Sequence, residues 1–251
     1  MEQKIEDFLA FLQDFKSITK NTKESYRRDL NNMVTFFRKS GIDSLDKVTL
    51  TNVNSYILYL EKEGKSPSSV SRNISSMRTF FRYLLNEGVI TKDPTMLVTM
   101  PKIEKKKAKR VSEDNIQRLI LTPPQNEPKG IRDKAMIQLI YATGIRVSEL
   151  VTLSTDDINL EMRYIILKNS KKVRVVSFDT KTRNIIKKYL EDSRKHFVFA
   201  EGKDSNILFL NCNGKEMSRQ GFWKIIKGYA KEAGIEGEIS PHTLRGIVEQ
   251  D

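Results

Sequence analysis

Apolar residues recur at helical spacing through the first hundred positions. Ile5, Phe8, Leu9, Phe11 and Leu12 follow the spacing of a helix with one buried face. Asn21 is placed to cap a second helix, with Glu24 three residues on as a capping-box partner. Tyr26, Leu30, Met33 and Phe37 then supply one apolar face. A third pattern runs near Thr51–Glu63, with Val53, Tyr56, Ile57 and Leu60 inward, and ends at Gly64. Ser66-Pro67 opens a fourth helix, because serine caps well and a proline in the first turn lacks an N–H that the helix does not need. Val70, Ile74, Met77, Phe81 and Leu84 form its buried stripe.

The pattern restarts beyond residue 110. Ser112 caps a helix that runs through Gln117 and Leu121, and Thr122–Pro128 reads as a loop. Residues 131–143 make a strongly apolar helix, and another helical turn covers Arg146–Leu153. The period then falls from 3.6 to 2. Tyr164–Leu167 and Val173–Phe178 are short β-branched runs joined by Lys168-Asn169-Ser170-Lys171-Lys172, which predicts a β-hairpin with a cationic tip. Helices resume at Lys181–Asp192, at Ser218–Ala233 and after Ser240-Pro241. Together these patterns predict a mainly α protein. A four-helix domain covers residues 1–100, and a mostly helical domain with a small β-sheet covers 111–251. Between them, Pro101–Arg110 carries six cations and one acid and reads as an extended basic linker.

Composition adds a partner class. The 251 residues carry a formal net charge of +12 with 38% hydrophobic and 30% charged residues, enough for real cores and the balance of a protein that meets a polyanion. The single cysteine, Cys212, permits no intramolecular disulfide and no zinc–cysteine cluster. The N-terminal residues lack an apolar signal core, and no apolar run approaches the roughly 20 residues that cross a bilayer. The expected setting is cytoplasmic, with no membrane partner, no metal and no cofactor.

Charge is also patterned within elements. The outer face of the fourth helix carries Arg72, Ser75, Ser76, Arg78, Thr79 and Arg82 and no acid. A solvated helix face normally interleaves Glu with Lys, whereas cations among small hydroxyls suit the phosphates and base edges of a DNA major groove. A plain basic surface is the alternative. Lys105, Lys106 and Lys107 of the linker would lie along a DNA backbone, or serve as a soluble spacer.

Two short segments carry candidate chemistry: Ala142-Thr143-Gly144-Ile145-Arg146-Val147-Ser148-Glu149-Leu150 and Ser240-Pro241-His242-Thr243-Leu244-Arg245. The first closely resembles the leading arginine box of Xer-type tyrosine recombinases of the phage integrase family, and the second resembles their His-x-x-Arg box. Arg132-Asp133-Lys134-Ala135-Met136 stands ahead of the first box at the expected distance, and the basic hairpin and Phe222-Trp223 lie between the boxes in the expected order. The resemblance covers essentially the whole chain. It implies a SAM-like core-binding domain followed by a catalytic domain, double-stranded DNA as partner, and assembly on DNA as a tetramer with itself or a related recombinase. The implied reaction cleaves and rejoins strands through a 3′-phosphotyrosine.

The resemblance assigns Arg146 and Arg245 to the phosphate-binding pair, and the physics agrees, since planar guanidinium forks hold nonbridging oxygens in a set orientation. Glu149, one turn after Arg146, is placed to orient it. His242 matches the family's proton handler or phosphate donor. A hairpin lysine acts in the family as general acid. Two registers fit here: Lys168 is preferred and Lys171 is the alternative, with Lys171 and Lys172 otherwise touching DNA backbone. His196 is expected to be inert, Phe222 and Trp223 to be core, and Tyr229 to face the core rather than act as a nucleophile. After Arg245 the family continues with a helical region that bears the attacking tyrosine, whereas this sequence continues only as Gly246-Ile247-Val248-Glu249-Gln250-Asp251. The expectation from sequence is therefore a truncated catalytic domain. The chain reads either as a recombinase by descent, inactive as it stands, or as a DNA-binding fragment or regulator.

Overall fold

The computed structural model describes residues 1–102, 111–169, 172–198, 206–235, 239 and 243–244. The chain divides into two compact units, Met1–Lys106 and Lys107–Asp251, and each has its own hydrophobic core.

The first unit is built from α1 (Glu2–Lys16), α2 (Lys20–Lys39), α3 (Leu50–Lys62) and α4 (Pro67–Asn86). Local chemistry sets most of their starts. Ser66 Oγ accepts from the Ser69 N–H at 3.3 Å with Pro67 in the first turn of α4. Thr49 and Asn52 close a reciprocal capping box on α3. The cap of α2 is Thr19 rather than Asn21: its hydroxyl accepts from the Thr22 N–H at 3.3 Å. Asn21 therefore falls inside the first turn, and Glu24 is drawn to Arg27 rather than back to a cap. Gly64, at φ 72°, takes the left-handed conformation that ends α3. Phe8, Leu30, Met33, Phe37, Tyr56 and Phe80 are fully buried between the four helices. Phe8 meets Phe80 edge-on at 5.3 Å, a favoured aromatic geometry.

The second unit begins with α5 (Glu113–Leu121), capped by Ser112, whose hydroxyl accepts from the Asn115 N–H at 3.3 Å. Next comes α6, which runs from Pro128 to Thr143, so the expected loop is shorter and proline again occupies the first turn. The α6 helix is buried on nearly every side, which explains why it reads as continuously apolar. It also buries an ion pair. Arg132 donates to Asp133 Oδ1 from Nε at 2.9 Å and from Nη2 at 2.7 Å, and to the Leu210 carbonyl at 3.0 Å. The Tyr229 hydroxyl donates to Asp133 Oδ2 at 3.0 Å. These bonds tie α6 to α10 (Arg219–Glu232) and satisfy charges that would otherwise be costly to bury.

Then follow α7 (Val147–Thr152) and a three-stranded antiparallel sheet in the order β1 (Ile158–Asn159), β2 (Tyr164–Asn169), β3 (Lys172–Ser177). Pairing runs from Tyr164↔Ser177 to Asn169↔Lys172, so the strands extend further toward the tip than the β-branched runs alone indicate. Strand β1 is too short to show alternation and escapes the sequence pattern. After α8 (Thr180–Lys188) the helix continues as a π turn over Tyr189–Ser193, and α9 (Lys195–Val198) follows. Phe222 is fully buried and Trp223 is partly buried against the core. Among the described residues no helix is long and apolar enough to cross a membrane.

Candidate nucleic-acid interface and phosphate cleft

Gly144 ends α6 in the left-handed conformation at φ 62°, and buried Ile145 anchors the chain as it turns into α7. Arg146 therefore stands at the head of α7 with its side chain in solvent. Glu149, one turn on, folds back. Its Oε2 accepts from the Arg146 backbone N–H at 2.7 Å, and its Oε1 accepts from Arg146 Nη1 at 3.1 Å. Arg174, on β3, donates from Nη2 to the same Oε2 at 2.8 Å. The Glu149 side chain is largely covered, while both arginine side chains remain about half exposed. Burial works against its ionisation, yet the Arg146 N–H, the Arg174 charge and the Arg146 guanidinium together hold the Glu149 carboxyl below its ordinary value.

Lys168 projects from β2 and donates to Asp157 Oδ1 at 2.7 Å. Asp157 Oδ2 accepts from the Ser154 N–H at 3.0 Å and from the Ser154 hydroxyl at 2.9 Å. Burial opposes the charge on Asp157, but Lys168 and Ser154 hold its carboxyl low, and the hydrogen bond to Asp157 raises the Lys168 ammonium in turn. Arg146, Glu149, Asp157, Lys168 and Arg174 all line one cleft of about 420 Å³. Three cations face two carboxylates there, which leaves a net positive charge with guanidinium edges open to an anion.

The sequence placed Arg146, Glu149 and Lys168, and the structure brings all three to this cleft. Arg174 was not among the candidate residues of the sequence. Strand alternation puts it opposite Leu167, on the inward face of the hairpin near the strand end, where it reaches Glu149. Nothing in the linear sequence paired Asp157 with Lys168. His242, Arg245, Lys171, Lys105, Lys106 and Lys107 lie outside the described residues, as does the side chain of Lys172. His196 is exposed.

The face of α4 differs from its sequence reading in one respect. Read alone it has no acid, but α2 supplies Asp29, which is buried and accepts from Arg72 and from the Ser76 hydroxyl at 3.0 Å. Ser76 is consequently buried rather than outward. Arg78 donates to the Val98 carbonyl. Ser75 and Thr79 return their hydroxyls to the carbonyls of Ser71 and Ser75 at 3.0 and 2.9 Å. Arg82 is exposed.

A four-helix unit followed by a helical domain with a small antiparallel sheet and an arginine-lined cleft makes this a two-domain, mainly helical protein. The model of the phage integrase family matches residues 109–249, and that of the phage integrase N-terminal SAM-like domain matches residues 5–88. The chain is 38% identical to tyrosine recombinase XerD of Listeria innocua over 247 residues, covering 98% of this chain and 83% of that protein. Its fold is similar to that of the Tn1549 transposon integrase in complex with circular intermediate DNA, with TM-score 0.76 and 18% identity over 99% of this chain and 88% of that one. It is also similar to a lambda integrase tetramer bound to a Holliday junction, with TM-score 0.72 and 17% identity over 98% of this chain and 68% of that one. The chain belongs to the phage integrase family and is a tyrosine recombinase of the Xer type.

Proposed function

We propose that this chain binds double-stranded DNA in site-specific recombination, and that its cleft holds the phosphate at which strands are exchanged. The carrying observation is the Glu149 carboxylate shared by Arg146 and Arg174 on the wall of the cleft that also holds Lys168. A phosphodiester that exchanges one ester oxygen for another gathers charge on its nonbridging oxygens, and fixed guanidinium donors stabilise that charge without reorganising. Arg146 and Arg245 are assigned as the phosphate-binding pair and His242 as the donor or proton handler, the roles that the family resemblance gives them. Lys168 acts as general acid toward the leaving 5′ oxygen. The DNA-facing surface includes Arg72, Arg82, Thr79 and the cations Lys105, Lys106, Lys107, Lys171 and Lys172. The active assembly is a tetramer on DNA with copies of itself or a related recombinase, in the cytoplasm and without a cofactor.

The test is fluorescence anisotropy of the chain on duplex DNA over a salt series. Arg146→Ala should weaken binding and make the salt slope shallower by about one. An unaltered slope would remove Arg146 from the phosphate. Incubation with a nicked duplex then separates cleavage from binding: a covalent adduct reports strand cutting, and binding without an adduct reduces the activity of this chain to DNA recognition.

A further inference from the structure

We propose that Asp29 is a positioning residue that fixes Arg72 as the reader of a single guanine in the DNA major groove. This rests on the DNA-binding reading above and assigns it a specificity element in the first unit.

Asp29 lies beside Leu30 in the buried stripe of α2 and is 3% exposed. A carboxylate at such a position is costly unless its oxygens are met by donors. Both side-chain donors come from α4: the Ser76 hydroxyl at 3.0 Å and the Arg72 guanidinium. An apolar residue would fill this place at lower cost, and the charge has one visible consequence: it pins Arg72. The Arg72 side chain stays 45% exposed. It opens into a groove of about 310 Å³ whose other lining includes Asn21, Thr22, Ser25 and Ser75. These are neutral donors and acceptors of the kind that meet base edges.

Pinning separates base reading from phosphate binding. A phosphate contact needs charge and tolerates a mobile side chain, as lysine shows. The contact to guanine O6 and N7 needs a guanidinium fork held in one orientation. Asp29 supplies that orientation and at the same time cancels most of the charge of Arg72, because one carboxylate serves one arginine. The arrangement keeps direction and gives up electrostatic pull. The cleft of the second unit has the opposite balance, with three cations over two carboxylates.

The experiment selects binding duplexes from a library with a randomised interior, using the full chain, and then measures affinity base pair by base pair. Wild type should prefer guanine at one position by roughly 10- to 100-fold, the discrimination of one bidentate contact. Asp29→Asn keeps the shape of the side chain and removes its charge. It should abolish the preference for guanine at that position, and because it uncovers the Arg72 charge it should not make the salt slope shallower. Arg72→Lys keeps a cation on Asp29 and loses the fork, and it should show the same loss at the same base pair. The proposal is overturned if Asp29→Asn retains the guanine preference. It is equally overturned if either variant weakens all duplexes uniformly and leaves the base preference intact, which marks a phosphate contact. A wild-type chain that binds no duplex would instead sink the DNA-binding reading itself.

Discussion

Two acids set the geometry of the cleft, and their ionisation gives each a measurable signature. Glu149 receives N–H groups from two arginines and a backbone amide, and its folded-state pKa lies below the ordinary 4.5. A carboxylate depressed in this way stabilises the fold above its unfolded pKa and loses that contribution as pH falls through the folded value. Glu149→Gln should therefore lower stability by roughly 1.5–3 kcal/mol at pH 7, the range for hydrogen bonds to a charged group, and the difference should shrink as the pH drops below the ordinary carboxylate range. Urea unfolding of both proteins at pH 7 and pH 3 checks this, and a gap that persists unchanged at pH 3 would mean the charge is not what matters. Asp157 acts on Lys168 instead. With the carboxylate removed by Asp157→Asn, the Lys168 ammonium should titrate closer to its ordinary 10.5. NMR of the Lys168 side chain reads the midpoint directly, and an unmoved midpoint would show that the pair does not form in solution.

At the scale of elements, α6 is held by polar contacts as well as apolar ones. Its Arg132–Asp133 pair is buried, and burial raises the Asp133 carboxyl despite the guanidinium beside it. Tyr229 of α10 donates the remaining hydrogen bond. Tyr229→Phe leaves an acidic oxygen without a donor and should cost about 1–3 kcal/mol. Leu139→Ala, at a fully buried position of the same helix, should cost about 2–5 kcal/mol through the cavity it opens. Thermal melts of both variants test the ranking, and a Tyr229→Phe melt equal to wild type would show that the knot is not needed. The helices were legible because their signals are local: Ser66-Pro67, Ser112 and Ser218 each sit within one turn of the N–H they cap. Thr19 and Asn21 are both good caps two residues apart, so local chemistry does not choose between them. The Arg146–Glu149 contact was legible for the same reason of short range. The Asp157–Lys168 pair spans a strand connection, and Asp29 reaches Arg72 from another helix, so neither leaves a mark on the linear pattern.

For the whole molecule, basic residues outnumber acidic ones by 44 to 32, and several of the acids among the described residues are already engaged. Glu2, Glu6 and Asp29 pair with Arg38, Arg27 and Arg72 in the first unit, and Glu149 and Asp157 line the cleft of the second. The cations left over are the ones available to phosphates. Each phosphate they neutralise releases condensed counterions, so log affinity should fall linearly with log salt at about −0.9 per contact. A chain that grips DNA with both units should make at least roughly six such contacts, which sets a slope steeper than about −5. Titration of a duplex between 50 and 200 mM salt measures it, and a slope shallower than about −2 would mean that net charge does not drive the encounter. The same titration separates the two kinds of arginine in this protein. Arg146 shares its carboxylate with Arg174 and Arg72 has one to itself. Arg146→Ala should therefore flatten the line by about one unit, whereas Asp29→Asn should remove the guanine preference without flattening the line.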